Sequence, residues 1–173
     1  RYSSTIVNMN VKDDEVVSSF VAYEEDNIYI QTKEGFYMMY HNQEVSATNL
    51  RTQGIIALNL GKDDEVVSAL AISSEDQYLT VINENSGMKR VKVSDLELFR
   101  RNTKGERIFK QTPSNPQSVK VVRKLDIDKN LVIVNETSES IPVTEISIMT
   151  KDQSFSRPLR VKKGWYVISE IER

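Results

Sequence analysis

One seven-residue segment occurs twice in this chain, and its spacing restricts the possible folds more than any other feature. Lys-Asp-Asp-Glu-Val-Val-Ser occupies residues 12–18 and returns at residues 62–68, so the two copies are offset by 50 residues. The same offset superposes Ile6 on Ile56, which shows that the likeness extends beyond seven letters. A repeat of this length predicts small structural units that stack on their neighbours instead of building one large core.

Within each copy, short segments rich in β-branched and aromatic residues alternate with turn residues. Gly35 ends a three-residue loop typical of a hairpin, because glycine readily adopts the positive φ that such loops need. No segment shows a convincing helical period, so the chain is predicted to be all-β. The predicted strands are residues 5–11, 16–23, 28–32 and 36–40 in the first copy, and 55–60, 66–72, 77–82 and 88–93 in the second.

A third copy is present but more divergent. An offset of 52 residues places Ile56 on Ile108. The acidic turn of this copy is replaced by a segment with Pro113 and Pro116, and proline lacks the N–H that a sheet ladder needs. The predicted units are residues 1–50, 51–102 and 103–149, with residues 150–173 as a partial fourth blade or a tail.

Small sheets repeated in this way predict a propeller-like array of four-stranded blades. Propellers usually close with about 4–8 blades, whereas this chain holds about three to three and a half copies. We therefore expect a partial ring that belongs to a longer protein. A partial ring exposes strand edges, which would allow edge-to-edge self-association with a second copy.

Charge is distributed unevenly along the chain, although the formal net charge is only −2. Residues 1–88 carry a net charge of −9, residues 89–124 a net charge of +8, and residues 125–173 a net charge of −1. The basic part is either a surface that binds phosphates or a set of solvated and ion-paired charges. The candidate phosphate-binding residues are Arg51, Lys89, Arg90, Lys92, Arg100, Arg101, Lys104, Arg107, Lys110, Lys120, Arg123 and Lys124, and the tail cations Arg157, Arg160, Lys162 and Lys163 could extend this set.

Few residues of this chain suit catalysis or metal binding. Cysteine is absent, and the single histidine, His41, has no partner residue beside it. The acidic segments lack the spacing and turn glycine of a calcium loop, and the chain has no glycine-rich phosphate loop. No catalytic residue, metal or cofactor is therefore predicted here. Trp165 is predicted to pack against a blade edge or the tail, and stacking on a base is the alternative.

No segment of the sequence is suited to crossing a membrane as a helix. The longest apolar segments, such as residues 55–58 and 131–134, fall far short of the ~20 residues that a membrane-spanning helix requires. The chain does not open with a signal-peptide pattern. Together with the lack of cysteine, these features fit a reducing cytoplasm.

Residues 51–60, Arg-Thr-Gln-Gly-Ile-Ile-Ala-Leu-Asn-Leu, and the Asp-Asp-Glu-Val-Val that follows at residues 63–67 resemble the repeats of one bacterial family. The family is the C-terminal domain of the A subunits of DNA gyrase and topoisomerase IV, and the resemblance covers nearly all of residues 1–149. It implies a β-pinwheel, a propeller-like ring in which neighbouring blades exchange strands. Gyrase carries a Gln-Arg-Arg-Gly-Gly-Lys-Gly box in its first blade. The absence of this box here favours topoisomerase IV.

The resemblance also implies a function. Such a domain is not catalytic itself; it binds and bends duplex DNA and presents DNA crossings during decatenation or supercoil relaxation. The parent enzyme is an ATP-dependent type II DNA topoisomerase of the bacterial cytoplasm and nucleoid, with ATP and Mg on other domains or subunits. The implied partners are double-stranded DNA, the ATPase subunit of the heterotetramer, and the catalytic core of the same subunit. Two alternatives stay open: a gyrase domain that wraps DNA, and a protein-interaction propeller that does not bind DNA.

Overall fold

The computed structural model describes residues 14–49, 52–161 and 164–172, with the backbone alone for residues 167–172. Within these residues the chain forms short strands and three 3₁₀ helices, and α-helix is absent. The strands are β1 (Asn27–Thr32), β2 (Phe36–His41), β3 (Val66–Ile72), β4 (Tyr78–Asn83), β5 (Met88–Lys92), β6 (Glu106–Arg107), β7 (Val119–Arg123), β8 (Lys129–Val134), β9 (Ser138–Pro142) and β10 (Tyr166–Glu172). The 3₁₀ helices span Asn42–Glu44, Val93–Asp95 and Val143–Glu145.

Three antiparallel hairpins form the repeating element of the fold. β1 pairs with β2, β4 with β5, and β8 with β9. Their first strands begin at residues 27, 78 and 129, and a 3₁₀ helix directly follows each hairpin. The sequence repeat is therefore a structural repeat with an even interval.

Each hairpin is completed by a strand from later in the chain. β3 pairs with β1, β7 with β4 and β10 with β8, so the strand orders are β3-β1-β2-β6, β5-β4-β7 and β10-β8-β9. This exchange between successive units confirms the predicted all-β, pinwheel-type fold, with three or four strands in each sheet of the described residues. The unit boundaries, which these sheets cross, stay a prediction.

The outer edge of each of the first two hairpins is covered by the linker that follows the next hairpin along the chain. On the first hairpin, β6 lies beside β2, and the N–H of Ile108 donates to the carbonyl oxygen of Gly35 at 2.8 Å. On the second hairpin, Met88 and Ser156 exchange two backbone hydrogen bonds of 2.8 and 3.0 Å. Both edges of the first two hairpins are therefore covered by segments from later in the chain.

Two of the predicted strands are wrong, because residues 16–23 and 55–60 are not in strands. The counterpart of residues 16–23 in the second unit is β3, which pairs with β1 of the first hairpin. Around the counterpart of residues 55–60 in the third unit, only Glu106–Arg107 is a strand, and it pairs with β2. In the described part of the chain no hairpin precedes residue 16, and residues 16–23 lie in no described ladder. The predicted strand at residues 5–11 lies outside the described residues.

Residues of the repeated seven-residue sequence at 62–68 hold successive units together. Asp64 Oδ1 accepts hydrogen bonds from the backbone N–H groups of Glu34, in the first hairpin loop, and of Glu65, both at 2.9 Å. Ser68 Oγ accepts a hydrogen bond from the N–H of Val122 in β7, also at 2.9 Å. The acidic turn of the second unit therefore anchors the preceding hairpin, and its serine anchors the next exchanged strand.

Apolar clusters fill the spaces between the sheets. Tyr29 and Tyr37 stack with ring centroids 5.7 Å apart in a buried cluster that extends to the second sheet. Trp165 is fully buried against the third hairpin, and its Nε1–H donates to the carbonyl oxygen of Glu84 at 3.0 Å. This confirms the packing role predicted for Trp165 and removes it as a surface for stacking on a base.

Candidate nucleic-acid interface

Two of the predicted phosphate-binding residues lie inside the protein. Lys89 is fully buried, and its Nζ donates to the carbonyl oxygens of Thr150 at 2.9 Å and Gln153 at 2.7 Å. Burial lowers the pKa of Lys89 to about 8. Arg90 is also buried, and its Nε donates to the carbonyl oxygen of Ile146 at 2.8 Å. Both cations hold the linker of the third unit against β5, so we exclude them from the phosphate-binding set.

Residues 100–105 form a loop that is fixed against the first unit. The guanidinium of Arg101 donates to the carbonyl oxygen of Ile56. Gly105 has a φ of +73°, and a Cβ at this position would lie 2.0 Å from the carbonyl oxygen of Tyr37 in β2. Only glycine allows this close approach. Arg101 therefore positions the loop and is not a free cation on its surface.

Lys104 and Arg107 lie against the same aromatic ring. Lys104 Nζ is 4.4 Å and the guanidinium carbon of Arg107 is 4.3 Å from the ring centroid of Phe36. Arg107 also donates to the carbonyl oxygen of Glu34 at 2.7 Å. Cation–π contacts of this kind orient both charges. Phe36 is not predicted from the sequence, because only the pairing of β2 with β6 brings it opposite Arg107.

Four more predicted cations are exposed, and within the described residues none of them has an ion pair: Lys92, Arg100, Lys110 and Arg123. Arg123 pairs with Thr80 of β4, and Thr80 pairs on its other side with Arg90. Directly opposed residues share a sheet face, as do residues two apart, so Lys92 and Arg123 lie on one face of the second sheet.

Lys120 and Lys124 are engaged by carboxylates. Lys120 Nζ is 3.9 Å from Glu84 and 4.6 Å from the ring centroid of Trp165, and Lys124 Nζ is 3.0 Å from Asp76. These carboxylates reduce the positive charge that a phosphate would meet there. Arg51, Lys162 and Lys163 lie outside the described residues, and Arg157 and Arg160 are exposed.

The structure thus gathers only part of the predicted set on one short segment. We define the basic linker as residues 100–110, which project Arg100, Lys104, Arg107 and Lys110. Its one acidic residue is Glu106, whose carboxylate lies 2.5 Å from Lys151 Nζ and accepts a hydrogen bond from the Tyr37 hydroxyl at 3.1 Å. The hydrogen bond to Glu106 raises the pKa of Lys151. The acidic residue of the basic linker is therefore neutralised within the protein.

Known proteins are similar to this chain in both sequence and fold. Residues 26–73 and 77–114 match the sequence profile of a family described as DNA gyrase C-terminal domain, beta-propeller. The A subunit of DNA topoisomerase 4 from Bacillus subtilis (strain 168) is 25% identical over 154 residues, which cover 88% of this chain and 19% of that protein. The A subunit of DNA gyrase from Borreliella burgdorferi is 24% identical over 136 residues, which cover 79% of this chain and 16% of that protein.

A crystal structure of the C-terminal domain of DNA topoisomerase IV superposes with a TM-score of 0.83 and 24% identity, covering 95% of this chain and 52% of that one. Exchanged hairpins with covered outer edges define a propeller-type repeat domain. The chain belongs to the family of DNA gyrase C-terminal domains. It spans about a fifth of the length of the Bacillus relative and about half of the solved domain.

The described residues contain no helix that is both long and apolar enough to span a membrane. They also contain no group of three or more Asp, Glu or His side chains arranged to hold a metal ion.

Proposed function

We propose that this chain is a DNA-binding and DNA-bending part of the A subunit of a type II topoisomerase, of the topoisomerase IV kind. The observation that carries the proposal is the basic linker, a cationic segment fixed against β2. The relatives named above, which are the A subunits of topoisomerase 4 and gyrase, support this class of enzyme. Strand passage, with its ATP, Mg²⁺ and catalytic residues, would then take place on other domains or subunits.

Duplex DNA would be held by its phosphates rather than by its bases. Each phosphate that a lysine or arginine neutralises releases condensed counterions, so affinity falls with salt and depends little on base sequence. Arg100, Lys104 and Lys110 are exposed and able to make such contacts. Arg107 is half-buried, and one of its guanidinium nitrogens is already bonded to the protein.

The basic linker is ordered before DNA arrives. Gly105 fixes the loop against β2, and the ring of Phe36 orients Lys104 and Arg107. Binding therefore immobilises fewer side chains than it would on a flexible basic tail, which lowers its entropic cost. Cations held on a rigid array also determine the path of the duplex. A bend costs roughly 1–6 kcal/mol and is offset by the added phosphate contacts.

Binding would be concentrated on the second and third units. Residues 1–88 have a net charge of −9 and would repel the duplex, whereas residues 89–124 have a net charge of +8. We therefore propose that the chain bends DNA without wrapping it fully.

We also propose the partners and the cellular location of the chain. Its partners would be double-stranded DNA, the ATPase subunit of the enzyme, and the catalytic core of the same subunit. Its place would be the bacterial cytoplasm, at the nucleoid, where the parent enzyme would serve chromosome segregation.

A binding titration tests this function. Fluorescence anisotropy of a labelled duplex is measured at low and moderate salt for the native chain and for Arg100→Glu, Lys104→Glu and Lys110→Glu, singly and together. The matched control is Lys62→Glu, which makes the same charge change on an exposed lysine of the acidic turn. We expect each linker variant to weaken binding several-fold for every duplex sequence. The triple variant should lower the salt slope by about 0.9 for each lost phosphate contact.

Two results would contradict the proposal. One is equal loss of affinity in Lys62→Glu and the linker variants, because net charge alone would then explain the binding. The other is native affinity that does not depend on salt, which would favour the protein-interaction propeller.

A further inference from the structure

A basic residue recurs every 50 residues along the chain, and its two described members reach back to the preceding linker. The residues at this position are Arg1, Arg51, Arg101 and Lys151. In the linker after the second hairpin, Arg101 donates to the carbonyl oxygen of Ile56. In the linker after the third hairpin, Lys151 Nζ lies 2.5 Å from the carboxylate of Glu106. Of these two, Lys151 therefore contacts a charged side chain of the basic linker.

The backbone around Lys151 is fixed by a buried lysine. The N–H of Gln153 donates to the carbonyl oxygen of Thr150 at 3.2 Å, so residues 150–153 form a turn. Lys89 Nζ donates to the carbonyl oxygens of Thr150, Lys151 and Gln153, at 2.9, 3.4 and 2.7 Å. A side chain that starts from a fixed backbone loses less conformational entropy when it forms an ion pair. The third unit therefore presents Lys151 to the basic linker in a defined position.

Two carboxylates lie beside the ammonium of Lys151, whose side chain is only 18% exposed. Glu97 Oε1 is 3.4 Å and Glu106 Oε2 is 2.5 Å from Lys151 Nζ. The Tyr37 hydroxyl donates to Glu106 and accepts a hydrogen bond from the N–H of Glu97, both at 3.1 Å. Salt screens a partly buried pair less than an exposed one. This network therefore ties the basic linker to β2 and to the third unit at the salt concentrations used for DNA binding.

Glu106 and Arg107 are neighbours in β6 but lie in different surroundings. Arg107 lies against the ring of Phe36, whereas Glu106 bonds to Tyr37. Neighbouring strand residues point to opposite sides of a sheet, so the two charges are kept apart. Without Lys151, the carboxylate of Glu106 would lose this cation and would compete with phosphates for the cations of the basic linker.

We propose that Lys151 is a positioning residue for DNA binding, which holds Glu106 away from the cations of the basic linker and so leaves them available to phosphates. This inference rests on the proposed function. It gives the third unit a part in DNA binding that requires no contact with the duplex. The contacts run from Lys89 through the turn at residues 150–153 to Lys151, and from there to Glu106.

A titration of labelled duplex compares Lys151→Met with Lys129→Met, its matched control. Lys129 begins β8 and pairs with Asp126 at 3.9 Å, so each variant removes one positive charge and one ion pair. We expect Lys151→Met to weaken binding roughly three- to tenfold, and Lys129→Met by less than about twofold. Lys151→Arg should keep the native affinity, because a guanidinium also pairs with a carboxylate. Equal losses in the two methionine variants would overturn the proposal, since net charge alone would then explain them.

A second substitution in the Lys151→Met background separates position from charge. Glu106→Gln removes the freed carboxylate and should restore binding to within about twofold of the native chain. Glu97→Gln makes the same charge change on the more exposed carboxylate beside Lys151 and should restore less. Equal recovery with either glutamine would contradict a specific role for Glu106. Circular dichroism checks that each variant is folded.

Amide hydrogen exchange without DNA distinguishes a failure of this inference from a failure of the proposed function. The N–H groups of Asn102 and Ile108 donate to the carbonyl oxygens of Ala57 and Gly35, so their exchange reports on the basic linker. Exchange at both should be several-fold faster in Lys151→Met than in Lys129→Met. A native chain that binds duplex DNA, with unchanged exchange in Lys151→Met, would overturn the role of Lys151 alone. A native chain that binds no duplex would overturn both proposals.

Discussion

The first and second repeat units contain the same seven-residue sequence, but its residues make different contacts in the two units. In the second unit Asp64 holds the hairpin loop of the first unit, and Val66 begins β3. In the first unit the side chain of Asp14 bonds only to the N–H of the next residue within the described part of the chain, and Val16 is exposed outside any strand. Identical residues thus form a strand only where a hairpin lies beside them. Secondary structure in this protein is a property of neighbouring units.

The clearest difference in stability between the linkers should come from Gly105 and from Gly54, which lies 51 residues earlier. Both have positive φ, +73° and +76°, but a Cβ on Gly54 would meet no atom within 4 Å, whereas one on Gly105 would meet the Tyr37 backbone. Gly54→Ala should lower the free energy of unfolding by roughly 1 kcal/mol through backbone strain. Gly105→Ala should lower it by about 3 kcal/mol, since overpacking adds to that strain.

Urea denaturation measures both values. Equal losses in the two variants would mean that the linker of the second unit is not pressed against β2 in solution.

A smaller difference in stability is expected between the two acidic turns. Asp64→Ala leaves the part-buried N–H groups of Glu34 and Glu65 without their acceptor and should destabilise the protein by roughly 1 kcal/mol. Asp14→Ala removes the same atoms from an exposed turn and should change stability by less than about 0.5 kcal/mol. Chemical unfolding of the two variants, with the native chain as reference, gives the difference. A comparable loss in both would show that Asp14 also holds a partner.

The smallest expected effect is on the pH dependence of stability. Burial raises the pKa of Tyr37 to about 12. The folded state therefore favours the neutral phenol, so this contribution is complete below the unfolded pKa of about 10 and is lost as the pH rises from there toward 12. Between about pH 9 and pH 11, Tyr37→Phe should lose roughly 1 kcal/mol less stability than the native chain.

Tyr23→Phe is the control, because Tyr23 is exposed in the uncovered first unit. Urea midpoints at the two pH values provide the measurement. A native chain and a Tyr37→Phe variant that weaken equally would place the Tyr37 hydroxyl in water.

The candidate site was predictable as a region but not residue by residue. The charge count located the positive charge in residues 89–124, and the basic linker lies inside that range. From the sequence, Lys89 and Arg90 resemble surface cations. In the structure both bind carbonyl oxygens of the linker that follows the third hairpin. Phe36 was not predictable from the charge count, because it carries no charge. Long basic side chains can satisfy buried carbonyls as readily as phosphates, so only the packing of linker on hairpin separates the two roles.

The sequence by itself determined the repeat, the all-β class, the hairpins with their glycine turn, and the uneven charge, because periodicity and turn chemistry are local properties. Only the tertiary structure decided which strand completes which hairpin, which cations reach the surface, and which of the two seven-residue copies lies in a described strand. Sheet pairing joins residues far apart in the chain, and a backbone N–H gains a ladder bond only when a partner strand lies beside it. The repeated seven-residue sequence does not itself show whether a partner strand is present.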